Sequence, residues 1–198
     1  MPPRRPISLL VALVLAPRGL EAQGAPDVIP AFGSIGVSAS ATAHAALSRN
    51  LDPWDAGPGL ELRAVFPFYE GTVELGASQS SFDSREAGVP GFRARFLFIG
   101  WGLGARALDG LTWRTGIRLG VYDLQFDDPA IPDYARSENE VATELVGDLG
   151  FGVGRGWSLI AGAGGRVVFT APRMRQLTVT AGLRRSFVTP EWLRDFFD

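Results

Sequence analysis

Alternation with a period of two runs through most of this chain. Residues 113–122 show it most plainly. Trp113, Thr115, Ile117, Leu119 and Val121 fall on one face, and Arg114, Gly116, Arg118, Gly120 and Tyr122 on the other. A strand sends successive side chains to opposite faces, so the two sets separate; a helix would scatter both. The segment is a β-strand with one apolar and one polar face.

The same pattern predicts further strands. Residues 34–47 alternate Ile35, Val37, Ala39 and Ala41 with Ser34, Gly36, Ser38 and Ser40. Leu60, Leu62, Ala64, Phe66 and Phe68 alternate with Glu61, Arg63 and Val65, and the chain returns with Val73, Leu75 and Ala77 opposite Glu74 and Gly76. Phe92, Ala94, Phe96 and Phe98 then alternate with Arg93, Arg95 and Leu97, and the pattern blurs over 99–103. Strands at 140–153, 157–169 and 177–187 complete the series. The connections alternate in length. Tyr69-Glu70-Gly71, Asp109-Gly110 and Gly154-Arg155-Gly156 are short turns, while 48–59, 79–90 and 125–139 are polar, Pro- and Gly-containing stretches expected as long loops. About eight long antiparallel strands with long and short connections in turn are the signature of a transmembrane β-barrel.

A soluble barrel has the same alternation with the polarity reversed. Three features place the apolar face outside. Phe66, Phe68, Trp113, Phe151, Trp157 and Phe187 gather near the short turns or the end of the last strand, as does Phe32 at the chain start; such girdles mark a membrane interface. Trp101 lies in the same zone, but strict alternation from Phe92 turns it inward. Glycines share the polar face with arginines, leaving room for long side chains in a narrow interior. The polar face also carries both signs: Glu61, Arg63, Glu74, Arg93, Arg95, Arg114, Arg118, Glu144, Asp148, Arg166 and Arg184. Buried charges persist only when paired, and a turn centred on Arg155 sets Glu144 across from Arg166.

Composition narrows the picture. The 198 residues, with formal net charge -2, lack the basic surplus of a nucleic-acid binder. There is no cysteine, hence no disulfide or thiolate metal site. Arg4 and Arg5, an apolar core at 7–16 and the small-residue site Leu20-Glu21-Ala22 make residues 1–23 an expected signal peptide. A leader at 24–32, a barrel at 33–187 and a short amphipathic tail at 188–198 follow.

With these features the chain resembles the small outer-membrane β-barrel superfamily: the outer-membrane-protein-A transmembrane domain, its X-type relatives and the opacity proteins. The resemblance implies an all-β, eight-stranded up-and-down barrel in the bacterial outer membrane. It also implies contact with outer-membrane lipids and lipopolysaccharide, and a monomer. The final strand, with Gly182 and Phe187, looks like the signal read by the barrel-assembly machinery, although this chain continues past Phe187 to Asp198.

Candidate chemistry is sparse. His44 is the only histidine. It is followed by Ala45-Ala46, so the His-x-Ser arrangement of lipid A deacylase barrels is missing, and no partner for a general base is evident. Asp123, Asp127, Asp128 and Asp133 lack a Ca²⁺-loop frame. No catalytic residue, cofactor or metal is expected. Barrels of about eight strands are filled by side chains, and open channels need about 16. The expected role is structural, or surface interaction through the long loops. A narrow porin-like pore and a lipid-modifying enzyme are the alternatives.

Overall fold

The computed structural model describes residues 32–128 and 136–194. The expected signal peptide, the leader up to Ala31, Asp133, and Phe196 and Phe197 of the tail lie outside the described residues. Eight antiparallel strands close on themselves: β1 (Ser34–Ala46), β2 (Trp54–Phe68), β3 (Gly71–Ser84), β4 (Phe92–Leu108), β5 (Leu111–Phe126), β6 (Ser137–Gly154), β7 (Trp157–Val168) and β8 (Met174–Val188). Each strand pairs with its sequence neighbours. β1 and β8 seal the barrel in unbroken register from Ser34↔Val188 to Ala46↔Gln176. Closure gives every strand a partner on both sides, which is what a barrel in lipid requires.

At one end the hairpins are tight. Tyr69 has φ 50°, Gly110 has φ 77°, and Arg155 and Gly156 have φ 52° and 76°. Two successive positive-φ residues form the type I′ turn, whose twist matches the flanking strands. At the other end the connections are shorter than the sequence suggests. β2 begins at Trp54, β3 runs to Ser84, and β5 and β6 take in Gln125 and Ser137. Polar residues such as Gln79 and Ser81 belong to strand, because a strand that leaves the apolar band has no need of apolar side chains. What remains are connections at 47–53, 85–91, 127–136 and 169–173.

The outer wall is apolar. Leu62, Leu97, Ile117, Leu119, Leu145 and Leu159 are all more than half exposed. Water does not tolerate an apolar belt of that extent on a stable monomer; hydrocarbon does. The interior has two storeys. Toward the tight turns it is charged. Toward the longer connections it is an apolar cluster of Phe82, Phe92, Phe96, Phe98, Tyr122, Leu124, Val168 and Met174, capped by Leu51.

That cluster corrects the expected polarity of β4. Phe92, Phe96 and Phe98 point inward, and Arg93 and Arg95 point outward, so neither arginine belongs to the interior charge network. From Phe96 to Ile99 both faces are apolar, so local periodicity cannot set the parity. Space sets it. Gly76 on β3 lies against the Phe98 ring, where any Cβ would overlap it. The outward arginines sit at the long-connection end of the barrel, where Arg93 reaches Asp127 at 3.4 Å. The same shift in parity turns Trp101 outward, 48 % exposed, with its indole nitrogen beside Gly71 at a tight turn. Trp113, Phe151, Trp157 and Phe187 are also exposed on the wall, while Phe66 and Phe68 are half-covered by Phe32 at centroid distances of 5.8 and 5.6 Å.

Past Phe187, Thr189 is buried and its N–H donates to the Gly33 carbonyl at 3.3 Å. The short helix α1 (Glu191–Arg194) follows, with Trp192 exposed.

Candidate functional site: the barrel interior

Strand register converges the inward charges on one level. β6 sets Glu144 opposite Arg118 of β5 on one side and Arg166 of β7 on the other. Asp148, two dyad repeats further along β6, faces Arg114. Glu61 and Arg63 come from β2 and Glu74 from β3. All eight of these side chains are buried.

The pairing is dense. Glu74 accepts from Arg114 Nη2 at 2.8 Å, Arg118 Nε at 2.9 Å and Arg63 Nη1 at 3.4 Å. Asp148 Oδ2 accepts from Arg63 Nη1 and Arg114 Nη2, both at 2.8 Å. Arg118 Nη1 bridges Glu61 and Glu144, each at 3.0 Å, and Arg166 Nη2 donates to Glu144 at 3.2 Å. Glu74 packs so closely on β4 that a Cβ added at Gly100 would stand 2.6 Å from its Oε1. Charged hydrogen bonds of this kind are the strong ones, and dense pairing offsets much of the desolvation that isolated charges would suffer.

The two storeys meet through arginine faces. The Arg118 guanidinium lies 4.3 Å from the Phe98 centroid, and that of Arg166 lies 4.3 Å from Phe96. Cation–π contact suits a desolvated guanidinium. Above them Gln176 Nε2 donates to Tyr122 Oη at 3.0 Å, and Phe82 stacks on Phe92 at 4.5 Å. Side chains therefore fill the bore, as expected of about eight strands.

His44 sits at the edge of the apolar storey. Its Nε2 is 2.6 Å from Ser80 Oγ and 3.3 Å from Thr42 Oγ1, and its Nδ1 is 3.4 Å from Thr178 Oγ1. A hydroxyl partner for His44 thus exists, which the sequence does not reveal because Ser80 belongs to another strand. Ser80 is 6 % exposed and faces the packed interior. A cavity of about 310 Å³ opens above, lined by His44, Asp52, Trp54, Phe82 and Gln176 among others, with Arg85 paired to Asp55 at its rim. Among the described residues no cluster of three or more His, Cys, Asp or Glu could hold a metal ion.

Arg184 is the exception in the interior. It is inward and half-buried, but among the described residues it takes no part in the ion pairs.

The fold is that of an eight-stranded antiparallel barrel with a charged interior and an apolar exterior. Solved structures share it. Neisserial surface protein A matches with a TM-score of 0.61 at 15 % identity, over 78 % of this chain and 99 % of that one. The N-terminal β-barrel domain of Pseudomonas aeruginosa OprF matches with a TM-score of 0.53 at 11 % identity, over 79 % and 99 %. Ail, the attachment invasion locus protein of Yersinia pestis, matches with a TM-score of 0.50 at 13 % identity, over 78 % and 97 %. No protein-family model and no curated protein matches the chain.

Proposed function

We propose that this protein is a small outer-membrane barrel of the OmpA-like superfamily, with a sealed interior and a structural or surface-interaction role through its four longer connections. One observation carries the reading: paired charges fill the inside and leucines cover the outside. That distribution is stable only with lipid around the wall. The protein is a monomer, delivered by its N-terminal signal and assembled through its last strand. It is not an enzyme and carries no cofactor. Outward Arg93 and Arg95, at the end opposite the tight turns, suit the anionic headgroups of lipopolysaccharide, because arginine on a barrel wall is costly at mid-membrane and tolerated at the interface.

The test is membrane fractionation followed by gel migration of unheated and boiled samples. The protein is expected in the outer membrane, with the unheated form migrating differently. A soluble periplasmic protein, or one with no such shift, overturns the reading. Steady conductance in a planar bilayer would replace the sealed barrel by a pore. Lipid A turnover lost in His44→Ala would replace it by an enzyme built on the His44–Ser80 contact.

A further inference from the structure

The charged storey does not balance. Five inward arginines (Arg63, Arg114, Arg118, Arg166 and Arg184) face four carboxylates (Glu61, Glu74, Glu144 and Asp148) there, while Glu140, half-buried on the same inward face of β6, stands further along beside Tyr122. The surplus is localised. Arg184 forms no ion pair among the described residues, and its register neighbours, Ser38 on β1 and Ser158 on β7, are neutral. Its Nε is buried without a hydrogen-bond partner. Arg114 is 7 % exposed; it commits Nε and Nη2 to Asp148 and Glu74, but its Nη1 is also buried without a partner. An unpaired buried guanidinium N–H loses its hydration with no return.

Both arginines line one cavity. It holds about 240 Å³ at the tight-turn mouth of the barrel, with Thr72, Thr112, Asp148 and Gly150 around it. A water occupies about 30 Å³ of liquid, so this space accommodates a small oxoanion and several waters. The hydroxyls of Thr72 and Thr112 border it, and they now bond only to the backbone carbonyls of Gly102 and Gly150, at 3.4 and 3.3 Å.

We propose that the tight-turn mouth is a binding site for one small soluble oxoanion of the phosphate or carboxylate class, held between Arg184 and Arg114. The ligand supplies the missing negative charge and accepts from the two guanidinium groups. A planar, forked donor suits such an oxygen pair. Most of the lining positions point to the inside of the wall, so the ligand arrives from the aqueous phase at that mouth and not from the lipid.

The probe is inorganic phosphate, titrated into the folded barrel in a maltoside detergent. The readouts are calorimetry and the ¹⁵N-labelled arginine Nε–H resonances. Saturable binding is expected, with the Arg184 and Arg114 signals moving and that of Arg85, on the opposite rim, unmoved. Arg184→Gln should weaken binding roughly tenfold or more, since charged hydrogen bonds are lost. Arg185→Gln, whose side chain lies outside over Trp157 at 5.2 Å, should leave it unchanged. Absence of saturable binding in the wild-type barrel overturns the proposal, as does equal binding by a folded Arg184→Gln. If Arg184→Gln does not fold, the wild-type resonances decide: movement confined to Arg184 and Arg114 supports the site, and uniform movement or none refutes it.

Discussion

The two storeys of the interior solve the same problem differently. Both must fill a bore about eight strands wide. The storey near the tight turns does so with discrete bonds. Glu74 serves three arginines, and Arg118 serves three carboxylates. The other storey does so with volume: Phe82, Phe92, Phe96 and Phe98 interlock with Tyr122 and Leu124. A charge lattice fixes which atom meets which and leaves no conservative substitute. An aromatic plug needs only the right shape and accepts neighbours of similar size. The lattice therefore sets the register of β2, β3, β5, β6 and β7 against one another, and the plug seals the bore.

The largest effect is expected where the lattice loses its hub. Glu74→Ala leaves Arg63, Arg114 and Arg118 short of a buried carboxylate, and should cost about 4 kcal/mol, within the range for breaking a buried pair. Glu74→Gln should recover little, because the amide keeps the shape and not the charge. Glu144→Ala, which removes the partner of both Arg118 and Arg166, should fall in the same range. Glu138→Ala, on the same strand but exposed, should stay within about 0.5 kcal/mol. Urea unfolding from lipid vesicles, followed by the gel-migration shift, measures all four. Equal losses for Glu144→Ala and Glu138→Ala would dissolve the distinction between inside and outside.

The plug comes next. Phe96 is fully buried beneath Arg166. Phe96→Ala should cost about 3 kcal/mol, and Phe96→Met less than about 1.5 kcal/mol. The contrast with Glu74→Gln is what matters: the near-isostere rescues the plug and fails the lattice. If Phe96→Met proved as damaging as Glu74→Gln, shape and charge would not be doing different jobs here.

The same contrast marks what the sequence made legible. The strand count, the antiparallel order and the closed barrel follow from period-two alternation, because a strand with one apolar face writes that face into every second position. Inward placement of Glu61, Glu74, Arg114, Arg118, Glu144 and Asp148 follows from the same rule. The plug was not legible. Residues 96–99 read Phe-Leu-Phe-Ile, which carries no parity, and the deciding contact, Phe98 against Gly76, joins two strands. Pairing of His44 with Ser80 has the same origin, since the partners stand 36 positions apart. Loop length was misjudged because polar residues beyond an apolar band look alike in a strand and in a turn.

A small energetic effect carries the sharpest test of parity. Arg95 lies outward, with Phe96 next to it inward. Arg95→Ala removes a solvent-reached charge on the wall and should change stability by less than about 1 kcal/mol. Its position, however, decides which storey β4 builds. The chain has no cysteine, so a single Arg95→Cys variant carries the only thiol present. That thiol should react with a water-soluble maleimide in intact vesicles at the rate of an exposed group, while the thiol of Phe96→Cys should stay protected until the barrel unfolds. An inward Arg95 would give the opposite order. It would also remove Phe96 and Phe98 from the interior, and the cation–π contacts that join the two storeys would go with them.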